Sequence, residues 1–185
     1  TMGKLPLVKP TDNFHQVLII KSRLQLQFLV DKKCLCAEKY PVETYAQRLA
    51  DGGYAVAKET VNNARKVLQR LKKEYKLVLV SNFYGNIRTI LEDFDLLCYF
   101  EEVIESSVVG VRKPDPRIFQ LAVDRLGLPP AAITVVGDSI ESDIMPARQV
   151  GCRTVWLRGK QWTEAPVDET LPDRIISDLE ELVKK

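Results

Sequence analysis

Residues 133–143 read ITVVGDSIESD: a β-branched run ends at Val136, a glycine follows, and Asp138, Glu141 and Asp143 fall within the next few positions. A short apolar run stopped by glycine, with a helical pattern after it, predicts a buried strand feeding a helix. The same alternation extends outward on both sides. Upstream, 76–80 (KLVLV) predicts a strand, 81–85 a turn, 86–92 a helix, 103–105 a strand, and 114–126 a helix closed by Gly127. Downstream, 141–150 predicts a helix closed by Gly151, and 153–157 and 174–176 predict strands. A last helix over 178–184 takes Ser177 as its N-cap. Strands and helices alternating at these lengths form a parallel sheet covered by helices, joined by right-handed crossovers. The fold class expected is α/β, a doubly wound parallel sheet.

The first seventy residues lack that alternation. Residues 14–30 set Val17, Leu18, Leu24, Phe28 and Leu29 near one helical face, and 42–49 predicts a short helix stopped by Asp51, Gly52 and Gly53. Residues 61–71 are amphipathic and lead into the first strand. The expected division is a helical subdomain over 1–55 and a sheet domain over 56–185, with a linker near 51–58. There is no internal repeat and no low-complexity segment.

Length and composition narrow the function classes. The 185 residues, 45% apolar and 28% charged, suffice for one core and a small appendage. Lys and Arg total 27 against 25 Asp and Glu, a formal charge of +2, which argues against nucleic acid or an anionic membrane as partner. A small, non-polymeric ligand is expected instead. The longest apolar run, Leu96 to Phe100, is five residues, against about 20 for a membrane span. Four cysteines without a regular framework, and no charged-then-apolar leader, predict a reducing cytoplasm rather than secretion.

In an open parallel sheet, ligands bind at the carboxyl ends of the strands. Three segments bring polar groups to that rim. Ser81 and Asn82 end the first strand, where a hydroxyl, an amide and turn N–H groups suit an anion such as phosphate; simple capping of the next helix is the competing reading. Lys113, in the run from Gly110 to Asp115, precedes a proline and can point back over the rim to neutralise a phosphate oxygen or a carboxylate. A solvated surface lysine is its plainer reading, and Arg112 competes for the role. Asp138 follows its strand directly and Asp143 falls in the next helical turn, an arrangement suited to a hard cation such as Mg2+; helix-capping aspartates are the alternative.

The order VLVSN, GVRKPDPRIF and VVGDSIESD, with 32 residues from Ser81 to Lys113 and 25 more to Asp138, resembles the haloacid dehalogenase-like (HAD-like) hydrolases. Within them it resembles the branch with a helical cap near the N-terminus. The resemblance runs from about Val61 to the end and implies a Rossmann-type core. It implies that Ser81 and Asn82 hold the transferring phosphoryl group, that Lys113 stabilises an aspartyl-phosphate, that Asp138 ligates Mg2+, and that Asp143 orients Lys113 or a metal-bound water. The acidic GDSIESD motif is similar to that of the Mg2+-dependent phosphatases and phosphomutases. Residues 1–55 resemble the later part of a cap.

The family's nucleophile lies in a strand ending Asp-x-Asp-Gly-Thr, and no such motif occurs in these 185 residues. Asp93-Phe-Asp95 lacks both the apolar strand and the glycine and is expected at a helix terminus; reading Val17 to Ile20 as the first strand would put Lys21 at the attacking position. One expectation is therefore that the first strand, with its Asp and the cap's opening helices, lies outside these residues. The core without it would expose two strand edges, accommodated by self-association, a partner strand or a retained N-terminal fragment. The function expected is a Mg2+-dependent phosphatase of a small phosphorylated metabolite, inactive as this chain alone. A non-catalytic HAD-like binding or regulatory protein and a sugar-phosphate mutase are the alternatives.

His15 is the only histidine, which excludes histidine-based triads and multi-histidine metal sites; it is expected on a helix surface. Cys34 and Cys36 cannot complete a zinc site by themselves. Cys98 and Cys152 are expected in the core, as is Trp156 beside Leu157. The loop 159–173, with Trp162, is expected near the rim.

Overall fold

A computed structural model describes residues 8–159 and 168–184. The chain divides into two compact units, Thr1–Arg65 with Tyr84–Cys98, and Lys66–Phe83 with Tyr99–Lys185.

The first unit holds α1 (Phe14–Asp31), most of α2 (Val42–Leu71) and α3 (Ile87–Asp93). A capping box starts α1: Asn13 Oδ1 accepts from the Gln16 N–H, and Gln16 Oε1 accepts from the Asn13 N–H. Of the apolar face expected on α1 only Val17 is fully buried; Leu24, Phe28 and Leu29 are exposed. Polar contacts hold α1 to α2 near both ends of this pairing, among them the Arg23–Glu43 ion pair at 2.7 Å. His15 Nε2 sits 2.7 Å from Asp51 Oδ1, a side-chain hydrogen bond from α1 to α2. Gln47 also donates to Asp51, and these partners hold the Asp51 carboxyl below its ordinary range. Val17 to Ile20 are helical and Lys21 is an exposed helix residue, so they form no first strand.

The linker expected at 51–58 is absent, because α2 continues through Gly52 and Gly53 for 30 residues. Each glycine costs about 1 kcal/mol against alanine within a helix. Packing offsets that cost: Ala46 and Ala50 are fully buried, and a Cβ built on Gly53 would lie 3.3 Å from Leu18 Cδ1.

The second unit is the parallel α/β fold anticipated from the strand-helix alternation. β1 (Val78–Ser81) pairs in parallel with β2 (Glu102–Glu105), which runs into the short α4 (Ser106–Val109). β3 (Thr134–Gly137), β4 (Arg153–Leu157) and β5 (Arg174–Ile176) form a second parallel sheet in that order. One core serves both sheets. Ile104 of β2 packs with Ile118, Phe119, Ala122 and Val123 of α5 (Arg117–Leu126), Ala147 of α6 (Met145–Val150) and Cys152. Val78 and Val80 of β1 and Val135 of β3 lie against the same cluster. Among the described residues, β1 and β3 each keep one edge without a strand partner.

Local chemistry moved several helix ends. α5 starts at Arg117 rather than 114, with Pro116 as its N-cap, because a residue before a proline, here Asp115, is disfavoured in the helical region; the Lys113–Pro114 peptide is cis. The helix expected over 141–150 opens with a turn of π-helix, Ile140–Ile144, before α6. At the C-terminus a single 3-10 turn, Leu179–Leu182, is capped by Asp178 rather than Ser177. Ser177 instead donates to Glu181 Oε1. Cys98 is exposed, contrary to expectation, while Cys152 is buried and burial pushes its thiol pKa up. No described helix is long and apolar enough to cross a membrane.

The two glycines of α2 should respond differently to alanine. Gly52 has open space where a Cβ would go, so Gly52→Ala is expected to raise stability by up to about 1 kcal/mol in urea denaturation. Gly53→Ala is expected to gain less, because its methyl meets Leu18.

Candidate functional site

The site occupies the carboxyl-end rim of the second unit. Ser81 is the last residue of β1, in register with the buried Glu105 at the end of β2. Beyond it, both polar ends of the Asn82 side chain engage the Lys113 backbone. Nδ2 donates to the Lys113 carbonyl at 2.9 Å, and Oδ1 accepts from the Lys113 N–H at 2.9 Å. Asn82 thus holds the lysine backbone as a strand neighbour would. Nδ2 carries a second hydrogen besides the one given to Lys113, so an anion could be met by the Asn82 side chain as well as by its backbone N–H.

Lys113 reaches from that anchored backbone to Asp143, and Nζ donates to Oδ1 at 2.6 Å. Lys113 therefore makes this link. The pair is shielded, with side-chain exposures of 17% for the lysine and 7% for the aspartate. Removing one partner from such a pair costs about 3–5 kcal/mol, since the other charge is left buried alone. Asp143 Oδ2 also accepts from the Ser139 N–H at 3.2 Å.

Two features of the chain put Asp143 there. The π turn lets the Asp143 and Ile144 N–H groups both bond the Ser139 carbonyl, while Ser139 Oγ accepts from the Ser142 N–H. Gly137 supplies the space: a Cβ on it would lie 2.6 Å from Asp143 Cγ and 2.7 Å from Oδ2. The glycine is needed because the carboxylate packs directly on its backbone. Pattern reading treats Gly137 only as a strand stop, although a glycine six residues before an acidic residue in a strand-turn-helix is the available signal. Trp156, expected simply in the core, is buried and also donates its indole N–H to the Asp138 carbonyl at 3.0 Å.

Asp138 itself is exposed at the end of β3. Its carboxylate is a hard oxygen donor of the kind Mg2+ takes, and Asp143 lies five residues on with its charge already matched by Lys113. Among the described residues no three His, Cys, Asp or Glu side chains gather into a metal-binding group. The donor chemistry fits Mg2+, with Asp138 as one ligand and the rest of the shell left to water, substrate or other residues.

Asp93 and Asp95 take no part in this rim. They belong to the first unit, where Asp93 accepts from the Tyr54 hydroxyl at 2.9 Å and Asp95 follows α3 with φ 53°. Most of the loop 159–173, with Trp162, lies outside the described residues.

The sequence model of the family described as haloacid dehalogenase-like hydrolase matches residues 4–151. The chain is 35% identical over 134 residues to a glyceraldehyde 3-phosphate phosphatase of Pyrococcus furiosus, covering 67% of this chain and 53% of that protein. It is 38% identical over 107 residues to a phosphoserine phosphatase of Thermus thermophilus, covering 57% and 42%. The crystal structure of a HAD phosphatase from Thermococcus onnurineus superposes with a TM-score of 0.56 and 31% identity, over 65% of this chain and 54% of that one. The chain therefore spans about half the length of the curated relatives it matches.

The Gly137 cradle gives a direct test. Gly137→Ala is expected to destabilise the protein by about 2 kcal/mol or more in urea denaturation, through overpacking and displacement of Asp143. Gly159→Ala, with nothing within 4 Å of the new methyl among the described residues, should change stability by less than about 0.5 kcal/mol.

Proposed function

The chain belongs to the haloacid dehalogenase-like hydrolase family, and on that premise we propose that it forms part of a Mg2+-dependent phosphatase of a small phosphorylated metabolite. The observation that carries the reading is the shielded Lys113–Asp143 pair beside Asp138, tied to the end of β1 through Asn82. The relatives named for glyceraldehyde 3-phosphate and phosphoserine support a small phosphate ester as substrate.

In this reading the Ser81 hydroxyl and the turn N–H groups after β1 bind the phosphoryl oxygens. The Lys113 ammonium, held by Asp143, neutralises charge on the phosphate as it is transferred. Asp138 contributes one ligand to Mg2+, which would supply further positive charge at the phosphoryl group. A carboxylate forms the new bond to phosphorus as the ester oxygen leaves with a proton; water then cleaves the acyl phosphate and releases inorganic phosphate. That attacking Asp belongs to a segment outside these 185 residues. The edges of β1 and β3 that have no strand partner among the described residues support this, because a strand between them would deliver its own carboxyl end to the same rim. Residues 1–55 serve as part of a cap in this reading.

A second reading, a non-catalytic phosphate-binding relative, is favoured by one observation: no Asp-x-Asp-Gly occurs in these residues. Hydrolysis of p-nitrophenyl phosphate separates the two. The 185-residue chain is expected to be inactive. The native protein purified from its source is expected to hydrolyse the ester with Mg2+, to stop with EDTA, and to lose about 100-fold or more in kcat on Asp138→Ala. A native protein that binds phosphate without hydrolysing the ester would establish the second reading. Activity surviving Asp138→Ala would overturn the metal role.

A further inference from the structure

Trp156 does more than fill the core. It lies on β4 in register with Gly137, and parallel register partners present their side chains to the same face of the sheet. On that face the missing Gly137 side chain leaves room for Asp143, and the Trp156 indole reaches past it to the residue after β3. The carbonyl that accepts its N–H, Asp138 O, belongs to the same peptide unit as the Ser139 N–H. That N–H donates to Asp143 Oδ2 at 3.2 Å, while the indole bond is 3.0 Å. One planar peptide is therefore held at both ends, by an indole from the neighbouring strand and by the carboxylate that pairs with Lys113.

Holding that plane sets ψ of Asp138 and φ of Ser139, and with them the direction in which the Asp138 side chain leaves the backbone. Nothing in the β3–β4 ladder does this, because β3 ends at Gly137. An apolar side chain would serve core packing equally well; a buried ring with an N–H aimed at this one carbonyl serves orientation. We propose that Trp156 is a positioning residue that orients the Asp138 carboxylate through the Asp138–Ser139 peptide. Its value to a bound cation rests on the reading of Asp138 as a Mg2+ ligand; the clamp itself does not.

Amide exchange followed by NMR on the 185-residue chain and its Trp156→Phe variant, with and without Mg2+, tests this. In the variant the Ser139 N–H is expected to exchange about tenfold faster, while the Thr154 and Val155 amides of β4 stay within about twofold. The Mg2+ concentration that half-shifts the Asp138 and Ser139 resonances is expected to rise about tenfold. An unchanged Ser139 rate, or equal acceleration across β3 and β4, would overturn the proposal and leave Trp156 a packing residue. If the variant does not fold, the wild-type chain still decides. Its Trp156 indole proton should exchange at least about 100-fold more slowly than free indole, and rapid exchange would overturn the clamp. Should the clamp hold while Mg2+ shifts neither resonance, the metal reading fails and the positioning of Asp138 stands.

Discussion

An ammonium and a carboxylate 2.6 Å apart, both largely withdrawn from water, fix how the segments after β2 and β3 meet. Such a pair seldom makes a fold more stable than well-packed apolar side chains would. What it provides is definition: with either partner removed, the other is a buried charge without compensation. The supporting contacts follow from that requirement. Asn82 holds the lysine backbone at two points, Gly137 leaves space for the carboxylate, and Ser139 donates to its second oxygen.

The core beneath is organised on a different principle. Val78 and Val80 of β1, Val135 of β3 and the apolar face of α5 share one cluster, so burial rather than a hydrogen-bonded ladder unites the two sheets. Each fully buried aliphatic side chain contributes about 1.5–3 kcal/mol. The edges of β1 and β3 without a strand partner among the described residues meanwhile carry backbone N–H and C=O groups that need water or a strand. The 39% exposure of Val136, in the middle of an apolar strand, fits an edge of this kind.

The strands were legible in the sequence because short β-branched runs bounded by glycine or polar residues have few other outcomes; all five lie within two residues of expectation. The helical region was less so. Gly52 and Gly53 read as a stop, yet the helix runs through both, with Gly53 against Leu18 and with Ala46 and Ala50 buried, and the exposed Leu24, Phe28 and Leu29 show that a helical apolar stripe does not say how much of it is covered. At the rim, residue type and order pointed to Ser81, Asn82, Lys113, Asp138 and Asp143; the Lys113–Asp143 contact was implied by the family resemblance, while the other links were not legible. That Asn82 grips a backbone, that Gly137 cradles a carboxylate and that an indole crosses from β4 are facts of three-dimensional reach. They depend on a register that no single strand's sequence contains.

The π turn over Ile140–Ile144 carries one residue more than an α-helical turn would. It therefore acts as a length gauge between the strand end and Asp143. Deleting Ile140, Glu141 or Ser142 would let the segment relax into an ordinary helix and swing the following side chains by about 100° around the axis. Asp143 would then face away from Gly137 and Lys113, although every motif residue would still be present in the chain. Spacing inside this turn is thus under a tighter constraint than the identity of its exposed residues. Relatives of this protein can be expected to vary Glu141 freely while keeping the count from Gly137 to Asp143 unchanged.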